Sequence, residues 1–190
     1  MSPRELTPIR LVPLTCLKCQ SPIAASPEEI AWVCGQCGQG NLLDALPVPG
    51  PKESTTRPLD IFFSNASKQG QKGRPFWVAR GQVTVTNRQS YKGDEGRAAR
   101  DFWSAPRLFY VPAWETSIDE IVTLGVYLLR NPQSLSPGAA VPFLPVVTPP
   151  GDFRSYVEFM IVSIEADRRD ALKSITYDLN LEPLQLWILP

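Results

Sequence analysis

Hydrophobic residues after residue 58 fall in short runs separated by turn-forming residues, which is the pattern of a domain rich in β-strands. Alternation is clearest from Ile175 to Leu181, where every second residue is apolar. Residues 156–166 are mostly apolar, so we predict a central strand there that is covered on both faces. Because the last connections are short, we expect the last strands to be antiparallel. The predicted strands are 61–63, 76–87, 107–114, 156–166, 174–181 and 184–189.

A helix is predicted between these strands by its start signal and its apolar stripe. Ser117 and Glu120 have the spacing of a capping box, in which side chains satisfy the first backbone N–H groups of a helix. Apolar residues follow at intervals of three and four, and Asn131–Pro132 ends the pattern. We expect this stripe to pack against the sheet; a groove on a partner is the alternative. The stripe consists of Ile118, Ile121, Val122, Gly125, Leu128 and Leu129.

Two proline-rich stretches divide the chain. Residues 46–58 are polar and have no apolar period, so we predict a linker between a module at 1–45 and a domain at 59–190. Residues 132–151 also carry apolar side chains, which argue against a free linker. We expect this second stretch to lie extended across the fold surface or to dock on a partner.

All four cysteines lie in the N-terminal module, in the pattern C-x2-C-x14-C-x2-C. Two residues between cysteines let a tight turn aim both sulfurs at one point, and two such turns supply four thiolates to a tetrahedral ion. Zinc suits this arrangement because four-sulfur coordination is one of its common structural sites. Gly38 assists the second turn, whereas Gln20 occupies the equivalent position in the first, which we expect to be more strained. The predicted ligands are Cys16, Cys19, Cys34 and Cys37.

Residues 14–43 resemble a zinc ribbon, with TCLKCQSPI as the first knuckle and AWVCGQCGQGN as the second. The resemblance implies a small β-hairpin module around one structural zinc ion. Such ribbons occur in transcription, translation and replication factors and as accessory modules of assemblies. No family is recognised in residues 59–190. The expected fold class is α+β, a small N-terminal zinc ribbon followed by a mainly antiparallel β domain with one main amphipathic helix.

The composition limits the chemistry of the chain. It contains no histidine, which excludes Ser-His-Asp and Cys-His catalysis and any histidine-ligated metal within this sequence. It also has neither a P-loop nor a dinucleotide fingerprint, so we expect no enzymatic activity. The longest apolar stretches are about eight residues, whereas a membrane-spanning helix needs roughly 20. Residues 1–13 lack the pattern of a signal peptide, and we expect a cytoplasmic protein without a membrane span.

A formal net charge of zero conceals two regions of opposite sign. Residues 68–100 carry eight basic and two acidic side chains, a net charge of +6, and residues 114–190 have a net charge of −5. Basic residues interleaved with aromatic rings can bind single-stranded nucleic acid. The alternative is that the aromatic rings belong to the core and the cations lie on a solvated loop. Residues 88–100 have the sequence of an exposed loop, which favours this alternative. The candidate polyanion-binding residues are Lys72, Arg74, Trp77, Arg80 and Arg88.

These observations favour a non-enzymatic, zinc-binding adaptor or assembly component that acts through protein–protein contacts. Trp32, Leu42 and Leu43, beside the ribbon, are either partner contacts or ordinary packing. A nucleic-acid-binding factor that uses the ribbon and residues 68–100 is the alternative. A weaker alternative is a rubredoxin-like redox protein, because iron also binds two C-x2-C knuckles.

Overall fold

The computed structural model describes residues 14–44, 55–67 and 70–190. It has the expected mixed architecture of mainly antiparallel sheets and few helices, with the cysteines in the N-terminal region. No helix within the described ranges is long and apolar enough to cross a membrane. The strands are β1 (Ala31–Val33), β2 (Gly40–Asp44), β3 (Thr55–Pro58), β4 (Ile61–Phe63), β5 (Arg74–Ser90), β6 (Arg107–Pro112), β7 (Leu172–Leu181) and β8 (Gln185–Leu189). The helices are α1 (Gly96–Phe102), α2 (Ile118–Arg130) and α3 (Phe153–Ala166).

The long strand β5 organises the larger sheet, whose order is β4-β8-β5-β6. Strands β7 and β8 follow one another along the same side of β5, and both are antiparallel to it. Residues 182–184 separate them and include Pro183, which cannot donate a hydrogen bond to the sheet. Strand β8 also pairs in parallel with β4. Strand β8 therefore lies inside the sheet, between β4 and β5.

The prediction of a strand at residues 156–166 is wrong, because this segment lies in helix α3. Its buried residues recur at helical intervals and pack into the core. Phe159 and Val162, however, are exposed, so apolar side chains also occupy the face that is polar in an ordinary amphipathic helix. These two residues hide the helical period and leave a run that resembles a buried strand. The buried apolar side chains are Phe153, Val157, Met160, Ile161 and Ile164.

The predicted helix after Ser117 is confirmed as α2. The Ser117 side chain accepts a hydrogen bond from the backbone N–H of Glu120 at 3.2 Å, and Asn131 follows the last turn. Four members of the apolar stripe, Ile121, Gly125, Leu128 and Leu129, are buried against the domain as expected, whereas Ile118 is exposed. Gly125 permits a close approach, since a Cβ atom there would lie 2.0 Å from the side chain of Met160 in α3.

The cysteine-bearing region packs directly against the larger sheet. Its strands form a small antiparallel sheet in the order β1-β2-β3. Ala31 and Leu42 are fully buried in the main hydrophobic core, so Leu42 serves packing rather than partner contact. Most of the predicted linker, residues 46–54, lies outside the described residues, and Thr55–Pro58 form β3, which pairs with β2.

The second proline-rich stretch lies extended across the fold, as one of its two predictions required. Val146 forms a bridge to Ala31, and its carbonyl accepts a hydrogen bond from the Ile30 N–H at 2.8 Å. The N–H of the next residue, Val147, donates to the Ala113 carbonyl at 2.7 Å. One extended segment thus joins the cysteine-bearing region to the end of β6.

Candidate metal centre

The first cysteine pair lies on a tight turn closed by backbone hydrogen bonds. The Cys16 N–H donates to the Ser21 carbonyl at 3.0 Å, and the Gln20 N–H donates to the Cys16 carbonyl at 2.9 Å. Gln20 has a φ of 61°, in the left-handed region that a side chain disfavours. The expected strain in this turn is therefore present. The side chain of Asn41 on β2 accepts a hydrogen bond from the Leu17 N–H at 3.3 Å and ties the turn to the hairpin.

The second cysteine pair lies on a turn of the same construction. The Gly38 N–H donates to the Cys34 carbonyl at 2.9 Å, and the Cys34 N–H donates to the Gln39 carbonyl at 2.8 Å. Gly38 has a φ of 74°, which costs a glycine little. Strands β1 and β2 flank this turn, so the hairpin fixes its position.

The two turns bring the four sulfurs together. Cys16 Sγ lies 3.6 Å from Cys37 Sγ, and Cys19 Sγ lies 3.6 Å from Cys34 Sγ. All four Sγ atoms lie within 4.8 Å of one another. A tetrahedral site with metal–sulfur bonds of about 2.3 Å requires sulfur separations of about 3.8 Å. A disulfide would need about 2.05 Å, and all four cysteines are free. The donor set therefore fits a metal ion.

Ionisation of all four cysteine thiols also requires a cation beside them. Hydrogen bonding to Ser21 lowers the pKa of Cys19 to about 6. The Gln39 backbone N–H acts to lower the pKa of Cys37, but burial and the neighbouring sulfurs outweigh it and raise that pKa to about 12. Four adjacent thiolates repel one another, so they ionise together only when a bound cation neutralises them.

The candidate polyanion-binding residues do not form one surface. Lys72, Arg74 and Arg80 are exposed. Trp77 is only 1% exposed, and its indole N–H donates to the Thr148 carbonyl at 2.7 Å, so its ring cannot stack on a base. The Arg88 side chain is 3% exposed and cannot reach a phosphate. The predicted loop at 88–100 is wrong in part, because β5 continues to Ser90 and α1 begins at Gly96, so only residues 91–95 connect them as a loop.

Arg88 instead lies in a buried ion cluster that the sequence did not reveal, hereafter the Arg88 cluster. Its Nε donates to Glu165 at 2.9 Å, and its terminal nitrogens donate to both carboxylate oxygens of Asp170. Glu165 also accepts from the Trp103 indole at 2.9 Å and from Arg168 Nε at 2.8 Å. The fully buried Glu165 carboxylate is therefore satisfied from three sides.

The Arg88 cluster fixes the start of α1 as well. Asp170 accepts a hydrogen bond from the Glu95 backbone N–H, the residue before the helix, at 3.0 Å. The Arg88 guanidinium holds the pKa of Asp170 well below its usual range, and the two carboxylates raise the pKa of Arg88 further. No local sequence pattern signals this cluster, since its members come from β5, the residues on either side of α1, α3 and the turn before β7.

Comparisons of the chain with models of protein families, with curated proteins and with solved structures gave no match. The class of site is therefore defined by the geometry alone, as a four-cysteine cluster that could hold a metal ion.

Proposed function

We propose that the protein is a non-enzymatic, zinc-binding adaptor or assembly component that acts through protein–protein contacts. The observation that carries the proposal is the close approach of four cysteine sulfurs beside a hairpin. Backbone hydrogen bonds join this hairpin to the larger domain. Zinc is the metal we propose, because four thiolates at this spacing match its structural sites. Cys16, Cys19, Cys34 and Cys37 would hold one ion.

The role proposed for zinc is structural. Four sulfur ligands complete a tetrahedral shell and leave no position for water or substrate. The ion would link the two short turns, which would keep the hairpin in one place on the domain. We propose a cytoplasmic location, where a reducing environment keeps cysteines available as metal ligands.

Nucleic-acid binding stays the second candidate. Exposure of Lys72, Arg74 and Arg80 supports it, whereas burial of Trp77 and Arg88 weakens it. Rubredoxin-like redox chemistry is the third, because the same four sulfurs suit iron.

Affinity capture with the full-length chain separates the first two candidates. A tagged protein is incubated with native lysate, with and without nuclease, beside the Lys72→Glu/Arg80→Glu variant. The proposal predicts a stoichiometric protein partner that survives nuclease and is retained by this variant. A capture that nuclease abolishes, and that the variant loses, would contradict the adaptor and support the nucleic-acid factor.

A further inference from the structure

A crevice of about 360 Å³ lies where the cysteine-bearing region meets the larger domain. Glu28 and Glu29, between the two cysteine pairs, line one side, and Trp114 and Glu115, after β6, line the other. Ser26 also lines the crevice, and apolar side chains of the extended proline-rich segment complete the lining. These are Leu144, Pro145 and Val147.

Backbone hydrogen bonds hold the two sides of the crevice in register. The Ile30 N–H, next to Glu29, donates to the Val146 carbonyl at 2.8 Å. The Val147 N–H donates to the Ala113 carbonyl, next to Trp114, at 2.7 Å. The same two-residue segment is thus bonded to both sides, so the crevice is part of the folded structure.

All the charged side chains that line the crevice are acidic. Glu28 and Glu115 are exposed and form no ion pair with any described residue. Glu29 accepts a hydrogen bond from the Ser26 backbone N–H at 3.2 Å, which leaves its charge uncompensated. No basic side chain lines the crevice among the described residues. Carboxylates around an apolar floor repel a polyanion and attract a cation that has an apolar neighbour.

The half-buried Trp114 is held by its own neighbours. Phe76 meets its ring edge-on, with centroids 5.0 Å apart, and the Arg74 guanidinium lies 6.0 Å from its centroid. Arg74 is fixed in turn by two hydrogen bonds to the Pro190 carbonyl. The indole therefore offers a preformed apolar wall, and a partner loses little by ordering it.

We propose that this crevice binds an extended, basic segment of a partner protein, in which lysine or arginine flanks an apolar side chain. The cation lies against Glu28, Glu29 and Glu115, and the apolar side chain contacts Trp114 and Leu144. This inference rests on the proposed adaptor function and names the chemistry of its partner. Because one side belongs to the cysteine-bearing region, binding requires the metal-held fold.

Three labelled peptides test the proposal by fluorescence anisotropy with the zinc-loaded full-length chain. The probes are GRKFLRKG, its acidic counterpart GEDFLDEG and the basic but polar GRKSSRKG. The proposal predicts that the first binds at least tenfold more tightly than the other two. It also predicts that Glu28→Lys/Glu29→Lys weakens this binding at least tenfold. The matched charge change at Asp178→Lys/Glu182→Lys, outside the crevice, leaves it unchanged.

Equal affinity for the acidic peptide, or an unchanged affinity in Glu28→Lys/Glu29→Lys, would overturn the crevice proposal. Circular dichroism and metal content establish that each variant is folded. Lysate capture with Glu28→Lys/Glu29→Lys then separates the two proposals. A variant that keeps the nuclease-resistant partner refutes the crevice while the adaptor stands; loss of that partner supports the crevice.

Discussion

Two clusters of polar side chains, the four cysteines and the Arg88 cluster, differ in what completes them. The four-cysteine cluster contains only sulfur donors, and the metal ion that it could hold would have to come from outside the chain. The Arg88 cluster contains its own cation between Glu165 and Asp170 and is complete within the chain. With the proposed zinc, one region would depend on metal supply, whereas the other depends on the protein alone.

The largest expected effect comes from Cys34→Ser, which removes one ligand. Zinc binding to such a site contributes on the order of 10 kcal/mol, so the cysteine-bearing region should unfold. Ala31 and Leu42 of that region are buried in the main core, so its loss also exposes part of the domain. We expect the free energy of unfolding of the domain to fall by about 2–5 kcal/mol, the range for large core truncations. Urea unfolding followed by tryptophan fluorescence measures it.

Gln36→Ser is the matched control for that experiment, since Gln36 is exposed in the same turn and offers no sulfur. Gln36→Ser should leave the free energy of unfolding unchanged. A Cys34→Ser variant with the stability of this control would show that the metal site and the domain are uncoupled.

Breaking the Arg88 cluster comes next in size. Glu165→Ala leaves Arg88 Nε and the Trp103 indole N–H buried without their acceptor, although Arg88 keeps Asp170, and we expect a loss of about 1–3 kcal/mol in the free energy of unfolding for each of these two donors. Glu158→Ala is the control on the same helix, because its ion pair with Arg154 at 3.3 Å is largely exposed. That pair is worth about 0–1 kcal/mol. Similar losses in the two variants would refute a special role for the cluster.

The two clusters also differ in how their contribution to stability changes as the pH falls. The Asp170 carboxylate has a pKa held well below its ordinary value of about 3.9 by Arg88, so its stabilisation is complete above that value. It is lost as the pH falls towards the lower pKa of the folded state. The stability gap between wild type and Asp170→Asn should therefore be largest at neutral pH and shrink below about pH 4. A gap that stays constant from pH 7 to pH 3 would contradict this account.

Measuring the gap rather than the wild type alone removes the effect of the metal site. Acid would also protonate the cysteines and release a bound metal ion, but it would do so equally in both proteins. Urea unfolding at several pH values gives the comparison.

The smallest effect concerns the two cysteine turns. Gln20 and Gly38 occupy equivalent positions and both have positive φ values. Gln20→Gly should relieve strain and stabilise the metal-bound protein by about 1 kcal/mol, whereas Gly38→Ala should destabilise it by a similar amount. Competition with a zinc chelator measures both changes. If Gln20→Gly weakened metal retention, the argument from backbone strain would be wrong.

The contrast between the clusters explains what the sequence could predict. The four cysteines of the candidate metal centre are local, two pairs at fixed spacing, so the pattern alone predicts that their sulfurs come together. Helix α2 was predicted for the same reason, because its cap and its stripe lie within one segment. The Arg88 cluster joins residues up to 82 positions apart, and nothing near Arg88 distinguishes it from a solvated cation. The exposed Phe159 likewise concealed the helical period of α3 until its surroundings were known.

Metal content is the most direct test of the central claim that four cysteines hold one structural zinc. Elemental analysis of the purified full-length chain should give one zinc per chain in a colourless protein and none in Cys34→Ser. Stoichiometric iron with a red colour, or full retention of zinc by Cys34→Ser, would contradict it.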